Sequence, residues 1–291
     1  MLINKSLFEY PRKRTIALNG QLVELDRPMV MGILNVTPDS FFDGGKYQTE
    51  KAILKRAEAI LTEGGSFIDI GAYSTRPGAD NIPVEEEIKR LLPAVLSVKA
   101  KFPDALISID TFRAEVAEKV IETAGDCIVN DISGGTMDDR MYETVARLGV
   151  PYILMHIRGT PQNMQQKPEY ADVVCEELKY FAARIDRLRY LGVKDLIIDP
   201  GFGFGKTLEH NYQLLNHMDD FKLTGFPLLA GISRKSMIYN VLECDSSASL
   251  NGTSVINVMA LLGGADILRV HDVKEAAEAI LLFEKLKTVN Q

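Results

Sequence analysis

From Met29 to the C-terminus the sequence repeats one unit eight times: a short apolar run, a polar loop, and an amphipathic helical pattern. The first run, Val30-Met31-Gly32-Ile33-Leu34, is too short for a helix and is bounded by turn residues, the marks of a buried strand. It breaks into a loop through Pro38, Gly44 and Gly45, where a backbone donor is lost and unusual dihedrals are allowed. The later runs are Phe67–Gly71, Leu106–Asp110, Cys127–Asp131, Tyr152–His156, Leu196–Asp199, Leu228–Ile232 and Asp266–Val270. Strands this apolar belong to parallel sheets covered by helices. Eight such units close a (β/α)8 TIM barrel of about 250 residues. A doubly wound open sheet is the alternative, but the first loop has no Gly-x-Gly-x-x-Gly opening a helix, so the barrel is the expected α/β fold.

Residues 1–28 fall outside the repeat. Asn19-Gly20 stands between Thr15–Leu18 and Gln21–Leu25, a strong hairpin signal. The expected organisation is an N-terminal β-hairpin extension, 1–28, lying as a lid on one end of a single barrel domain, 29–291. A net charge of -7 argues against a nucleic-acid or anionic-membrane surface, so any anion site must be a local cluster of positive groups. Cys127, Cys175 and Cys244 are too few and too scattered for a disulfide framework or a zinc site and suit a reducing cytosol. With no signal peptide and no stretch long enough to span a bilayer, the expectation is a soluble cytoplasmic protein.

In such a barrel the catalytic groups stand at the C-terminal ends of the strands. There the sequence places Asn35, Thr75, Arg76, Asp110, Asn130, His156, Asp199, Lys235, Arg269 and His271. Singly each has a bland explanation: an Asp at a strand end is often a helix cap, and a lone His is often a satisfied core residue. Asp69, inside its strand, and Asp131, opening a turn, read as structural. Together the set aims polar groups at one cavity, which stability alone does not require.

Asp110, Asn130, Asp199 and Lys235 suit the edge of a flat, nitrogen-rich heterocycle, because a carboxylate accepts two coplanar N–H bonds as it does from guanidinium. Arg269 and His271, beside a helix that opens with the capping-box pattern Asp272…Glu275, suit an anion. A helix terminus contributes only about 0.3–1 kcal/mol, and a hydrogen bond to a charged group about 1.5–3 kcal/mol, so Arg269 should dominate. The run Gly201-Phe202-Gly203-Phe204-Gly205-Lys206 lacks P-loop spacing and reads as close backbone approach to a flat ring, with Phe204 or Phe202 as a wall. The four histidines show no metal-ligand spacing, and His210 and His217 read as surface residues.

The runs Met31–Phe41, Ser74–Gly78, Ile198–Lys206, Ser233–Ser236 and Arg269–Asp272, in this order, resemble the dihydropteroate synthases from about Val30 to the end. The resemblance implies condensation of 6-hydroxymethyl-7,8-dihydropterin diphosphate with p-aminobenzoate. By position it gives the pterin to Asp110, Asn130, Met155, Asp199, Phe204, Gly231 and Lys235. It gives the diphosphate to Asn35, Thr75, Arg269 and His271, and a magnesium ion to Asn35. It sets Phe41, Asp43, Arg76, Pro77, Lys235 and Ser236 around p-aminobenzoate, and it implies a homodimer. Asp110, Lys235, Arg269 and His271 are the expected catalytic set. Phe42 and Tyr73 depart from the usual family residues, Ser and a polar group. A barrel presenting methyltetrahydrofolate to a corrinoid protein would share the pterin edge, but would have no use for the Arg269–His271 pair or the Arg76 loop. A non-catalytic pterin-binding protein would keep the slot and lose the loops.

Overall fold

The computed structural model describes residues 12–37, 45–74, 81–164 and 168–289, with backbone alone over 45–49. Two short antiparallel strands come first, β1 (Thr15–Leu18) and β2 (Gln21–Glu24), turning at Asn19 and Gly20, both at positive φ. Then strands and helices alternate: β3 (Met29–Asn35), α1 (Gly45–Thr62), β4 (Phe67–Gly71), α2 (Val84–Lys101), β5 (Leu106–Asp110), α3 (Ala114–Ala124), β6 (Ile128–Asp131) and α4 (Met141–Leu148). The second half continues with β7 (Tyr152–Met155), α5 (Val173–Tyr190), β8 (Leu196–Asp199), α6 (Leu208–Asn216), β9 (Leu229–Ala230), α7 (Ser236–Tyr239), α8 (Leu250–Leu262), β10 (Ile267–Val270) and α9 (Val273–Thr288).

The eight strands β3 to β10 are parallel, in the order β8-β7-β6-β5-β4-β3-β10-β9. A parallel bridge between Ile198 and Leu228, with Ile198 N donating to Pro227 O at 2.8 Å, joins the two edges and closes the barrel. The expected TIM barrel with an N-terminal hairpin is therefore the observed fold.

Alternation along each strand splits the apolar residues into two cores. Outward-facing Val30, Leu34, Ile68, Ile70, Ile107, Ile109, Val129, Leu154 and Ile198 pack with the helices. Inward-facing Met31, Phe67, Ile128, Ile153, Ile197, Leu229 and Ile267 fill the lower barrel, and Ile16, Leu18 and Leu25 close it from below. Each such burial is worth about 1.5–3 kcal/mol, so the lower barrel is a stable floor and the polar residues gather above it. Arg12 pairs with Asp266 at 2.7 Å and Lys13 with Asp195 at 2.5 Å, fastening the lead-in to the hairpin.

Two local expectations change. The seventh strand, expected over Leu228–Ile232, shortens to Leu229–Ala230; at its start the Asp266 carboxylate takes the Leu228 N–H at 2.8 Å. Asp272 sits at the N-cap of α9 but makes no capping bond, because Arg234 grips both its oxygens at 2.8 and 2.7 Å. Thr207 and His210 do form a reciprocal capping box, at the head of α6, which leaves His210 half-buried. Among the described residues no helix is long and apolar enough to cross a membrane.

Candidate active site

At the upper end of the barrel the last inward-facing residues of β3, β5, β6, β8 and β10 are polar. Asn35, Gly71, Asp110 and Asn130 stand in register across β3, β4, β5 and β6. Gly71 leaves the space Asp110 needs, since a Cβ there would lie 3.2 Å from the Asp110 Cβ. Arg269 reaches across from β10, its Nε donating to Asp69 Oδ2 at 2.6 Å and its Nη2 to Asp110 Oδ2 at 2.7 Å. Asn130 Nδ2 donates to the same Asp69 oxygen at 3.1 Å, which turns its amide oxygen away from Asp69.

Asp69 is thus a member of the site that sequence reasoning set aside. It is fully buried, and its Oδ1 has no hydrogen-bond partner among the described residues. The signal was present in the alternation: Asp69 shares the face of Phe67, and in a closed barrel that face is the interior. Asp131, by contrast, is structural as expected, accepting from Ser133 N at 2.7 Å, Gly135 N at 2.9 Å and the Tyr152 hydroxyl at 2.7 Å.

The opposite wall is built by β8 and the turn after β9. Asp199 accepts from Gly201 N at 2.7 Å. Arg234 adopts a left-handed φ of 57°, costly for a side chain of its size and held by the bidentate grip on Asp272. That turn carries Lys235 toward the Gly201–Gly205 loop, where its ammonium donates to Phe202 O and lies 4.5 Å from the centre of the Phe204 ring. Gly203, at φ 83°, admits the lysine stem: a Cβ there would stand 3.1 Å from Lys235 Cδ. Gly231 lies between Asp199 and Lys235, and a Cβ on it would come within 3.8 and 3.9 Å of their charged atoms. Met155 and the half-buried Phe204 belong to an apolar cluster with Tyr73, Phe112, Ile157 and Met164 over the same mouth.

Burial shapes the charge state of the mouth. Desolvation raises Asp110, opposed by Arg269 and reinforced by neighbouring Asp69. It raises Asp199 as well, against the pull of Lys235. It pushes Lys235 down to about 7, against the pull of Asp199. His271 is pushed down to about 4 by burial and by Arg269, so its ring is neutral near pH 7. Its Nδ1 lies 3.1 Å from the Ser233 hydroxyl, which already accepts the His271 backbone N–H at 3.2 Å. A hydroxyl donating to Nδ1 leaves Nε2 as the proton-bearing nitrogen.

The structure therefore brings Asn35, Asp110, Asn130, Met155, Asp199, Phe204, Gly231, Lys235, Arg269 and His271 to one end of the barrel, with Ser236 half-buried at the start of α7. His156 is not among them; it is buried behind the slot, against Glu177 and Lys206. Arg269, expected on an anion, has two of its nitrogens engaged by carboxylates. Phe41, Phe42, Asp43, Thr75, Arg76 and Pro77 lie outside the described residues. Among those described, no group of three or more His, Cys, Asp or Glu side chains could hold a metal ion.

Comparison with known proteins points the same way. A family model described as pterin binding enzyme matches residues 31–271. The dihydropteroate synthase of Escherichia coli K12 is 43% identical over 267 residues, covering 91% of this chain and 94% of that protein. A Yersinia pestis dihydropteroate synthase solved with a sulfonamide drug superposes with a TM-score of 0.88 at 40% identity, covering 94% of this chain and 99% of that one. The Xanthomonas albilineans enzyme with 4-aminobenzoic acid gives a TM-score of 0.87 at 37% identity, covering 94% of this chain and 98% of that one.

Proposed function

The chain belongs to the pterin-binding enzyme family as a dihydropteroate synthase, and from that premise we infer how its barrel mouth joins 6-hydroxymethyl-7,8-dihydropterin diphosphate to p-aminobenzoate. The observation that carries the assignment of residues is the pairing of Asp199 and Lys235 on either side of Gly231, a position with no side chain to fill the slot. A flat aminopyrimidinone entering there meets a carboxylate acceptor, an ammonium donor and the Asn130 amide along its edge, between Met155 and Phe204. Asp110 closes the far side of the ring.

The reaction breaks the bond between the pterin methylene carbon and the diphosphate oxygen, and the electron pair leaves with the diphosphate. Arg269 and the Nε2–H of His271 receive the developing negative charge, in the manner of an oxyanion site. As Arg269 turns to the diphosphate, Asp110 loses part of its counter-charge and faces the methylene cation left on the ring. The arylamine nitrogen then bonds to that carbon and its surplus proton passes to water. An arylamine is already nucleophilic at neutral pH, so no strong base is required.

Asn35 offers one neutral oxygen, a donor set that fits a magnesium ion arriving on the diphosphate better than a resident metal, since Mg2+ favours hard oxygen ligands and substrate phosphates. When bound, the ion would neutralise leaving-group charge. Thr75 joins the diphosphate site in this reading, and Phe41, Asp43, Arg76, Pro77, Lys235 and Ser236 surround p-aminobenzoate. We place a homodimer contact on the neighbouring helices α8 and α9, whose outer faces expose Val255, Met259, Leu262, Leu281 and Leu282. The free cysteines and the absence of an apolar spanning helix among the described residues suit a cytoplasmic location.

Diphosphate release measured with each component omitted tests the reading. Release should require the pterin diphosphate and stay slow until p-aminobenzoate and magnesium are both present. Methyl transfer from methyltetrahydrofolate without condensation would replace it with the corrinoid-linked alternative.

A further inference from the structure

Behind the slot lies a buried ionic cluster that the reaction does not use. Lys206 is 3% exposed and Glu177 fully buried, with His156 beside them. The Lys206 ammonium donates to Gly201 O at 3.0 Å, Phe204 O at 3.1 Å and His156 O at 3.3 Å, and lies 3.0 Å from His156 Nδ1. Glu177 Oε1 faces it at 3.2 Å, a close ionic contact without hydrogen-bond angles, and lies 3.1 Å from Nδ1 of His156, whose pKa is lowered by burial and by Lys206. An ammonium has three donors, and here they are shared between carbonyls at both ends of one short loop and His156 beside it.

That loop is tied at several points, by Phe204 N–H to Gly201 O at 3.0 Å, Gly201 N–H to Asp199, Gly203 N–H to Asn211 and the Tyr170 hydroxyl to Gly205 O. Lys206 is the tie that joins its two ends. Gly201, Gly203 and Gly205 all have positive φ, at 69°, 83° and 64°, and such a chain is loose unless something outside fixes it. Lys206 gathers the carbonyls of residues 201 and 204 onto one point, as a bound cation would. Between those two points lie the Phe202 carbonyl and the Phe204 ring, the two groups that contact Lys235. Removing Glu177 or Lys206 alone would strand a buried charge, so the two stand or fall together.

We propose that Lys206, with Glu177 as its buried counter-ion, is a positioning residue for pterin recognition, setting the Phe202 carbonyl and Phe204 ring that in turn orient Lys235. The proposal rests on the assignment of Lys235 and Phe204 to the pterin slot. The clamp weighs more on the pterin than on p-aminobenzoate, because it sets the Phe202 carbonyl and Phe204 ring directly and reaches the p-aminobenzoate residues only through Lys235.

Steady-state kinetics of Lys206→Met, whose side chain matches the lysine stem but donates nothing, gives the test. Condensation by the unaltered protein checks the functional reading separately. In Lys206→Met the KM for pterin diphosphate should rise about tenfold or more, while that for p-aminobenzoate, reached only through Lys235, rises by no more than about threefold. In a Phe204→Ala background the same change should raise the pterin KM by less than about threefold, since residues acting as one unit are not additive. If Lys206→Met yields no folded protein by circular dichroism, the double variant Lys206→Met with Glu177→Gln, which strands neither charge, is judged on the same criteria, and its failure to fold as well would make the cluster a stability element and overturn the proposal. An unchanged pterin KM, equal losses for both substrates, or multiplicative effects in the double variant would each overturn the proposal and leave the cluster a stability element.

Discussion

Asp69→Asn isolates what the buried carboxylate behind Arg269 contributes. Asp69 Oδ2 takes both Arg269 Nε at 2.6 Å and Asn130 Nδ2 at 3.1 Å, while Oδ1 is buried without a partner among the described residues. In the variant the amide oxygen can keep the Oδ2 position, and an NH2 replaces an oxygen that has no hydrogen-bond partner among the described residues. Losing the charge assistance of the bonds from Arg269 and Asn130 costs about 1 kcal/mol each, while the buried NH2 replaces an oxygen that is already unpartnered and adds little. Against this, Asp69 and Asp110 no longer repel. A net loss of about 1–2 kcal/mol is expected, a factor of about 5 to 30 in the folding equilibrium by urea denaturation.

The same change has a signed effect on activity. Asp69 is one of the charges that raise Asp110, so neutralising it lowers the Asp110 pKa. The acid limb of kcat/KM for pterin diphosphate, which reports groups of the free enzyme, should move to lower pH even as the plateau falls. A limb that stays in place or moves up would refute the coupling of Asp69, Arg269 and Asp110.

Two further predictions concern protons. Lys235, pushed down to about 7, loses its proton as pH rises through that value; the alkaline limb of kcat/KM should therefore fall near pH 7 and vanish in Lys235→Met, whereas a limb that survives the substitution assigns it elsewhere. His271, held at about 4, gains a favourable partner when an anion binds; diphosphate binding between about pH 4 and 6.5 should take up protons, up to about one per site, measured by calorimetry in buffers of different ionisation enthalpy, and His271→Asn should abolish the uptake.

The strands and most of the mouth were legible because both depend on local pattern. Apolar runs with Asp110, Asn130, Asp199 or Arg269 as the last or next-to-last residue mark their own strand ends, and barrel geometry supplies the direction. What the pattern does not carry is pairing across the barrel. Asp69 and Arg269 are 200 residues apart, and nothing local distinguishes a carboxylate that meets a guanidinium from one that opens a turn. The alternation of Phe67, Asp69 and Gly71 held the inward direction of Asp69, but its mid-strand position outweighed it. Asp272 shows the converse: the local rule promised a cap, and a bond to Arg234, 38 residues away, displaced it. Lys206 read as the end of a glycine-rich loop, because its partner Glu177 is on α5 and outside any local window.

A crystal structure with the pterin diphosphate bound tests the central claim most directly. The account predicts the aminopyrimidinone edge on Asn130, Asp199 and Lys235 over Gly231, the ring beside Phe204, and the diphosphate at Arg269 and His271. A ring seated elsewhere, or one in the slot with its diphosphate directed away from Arg269 and His271, would contradict it.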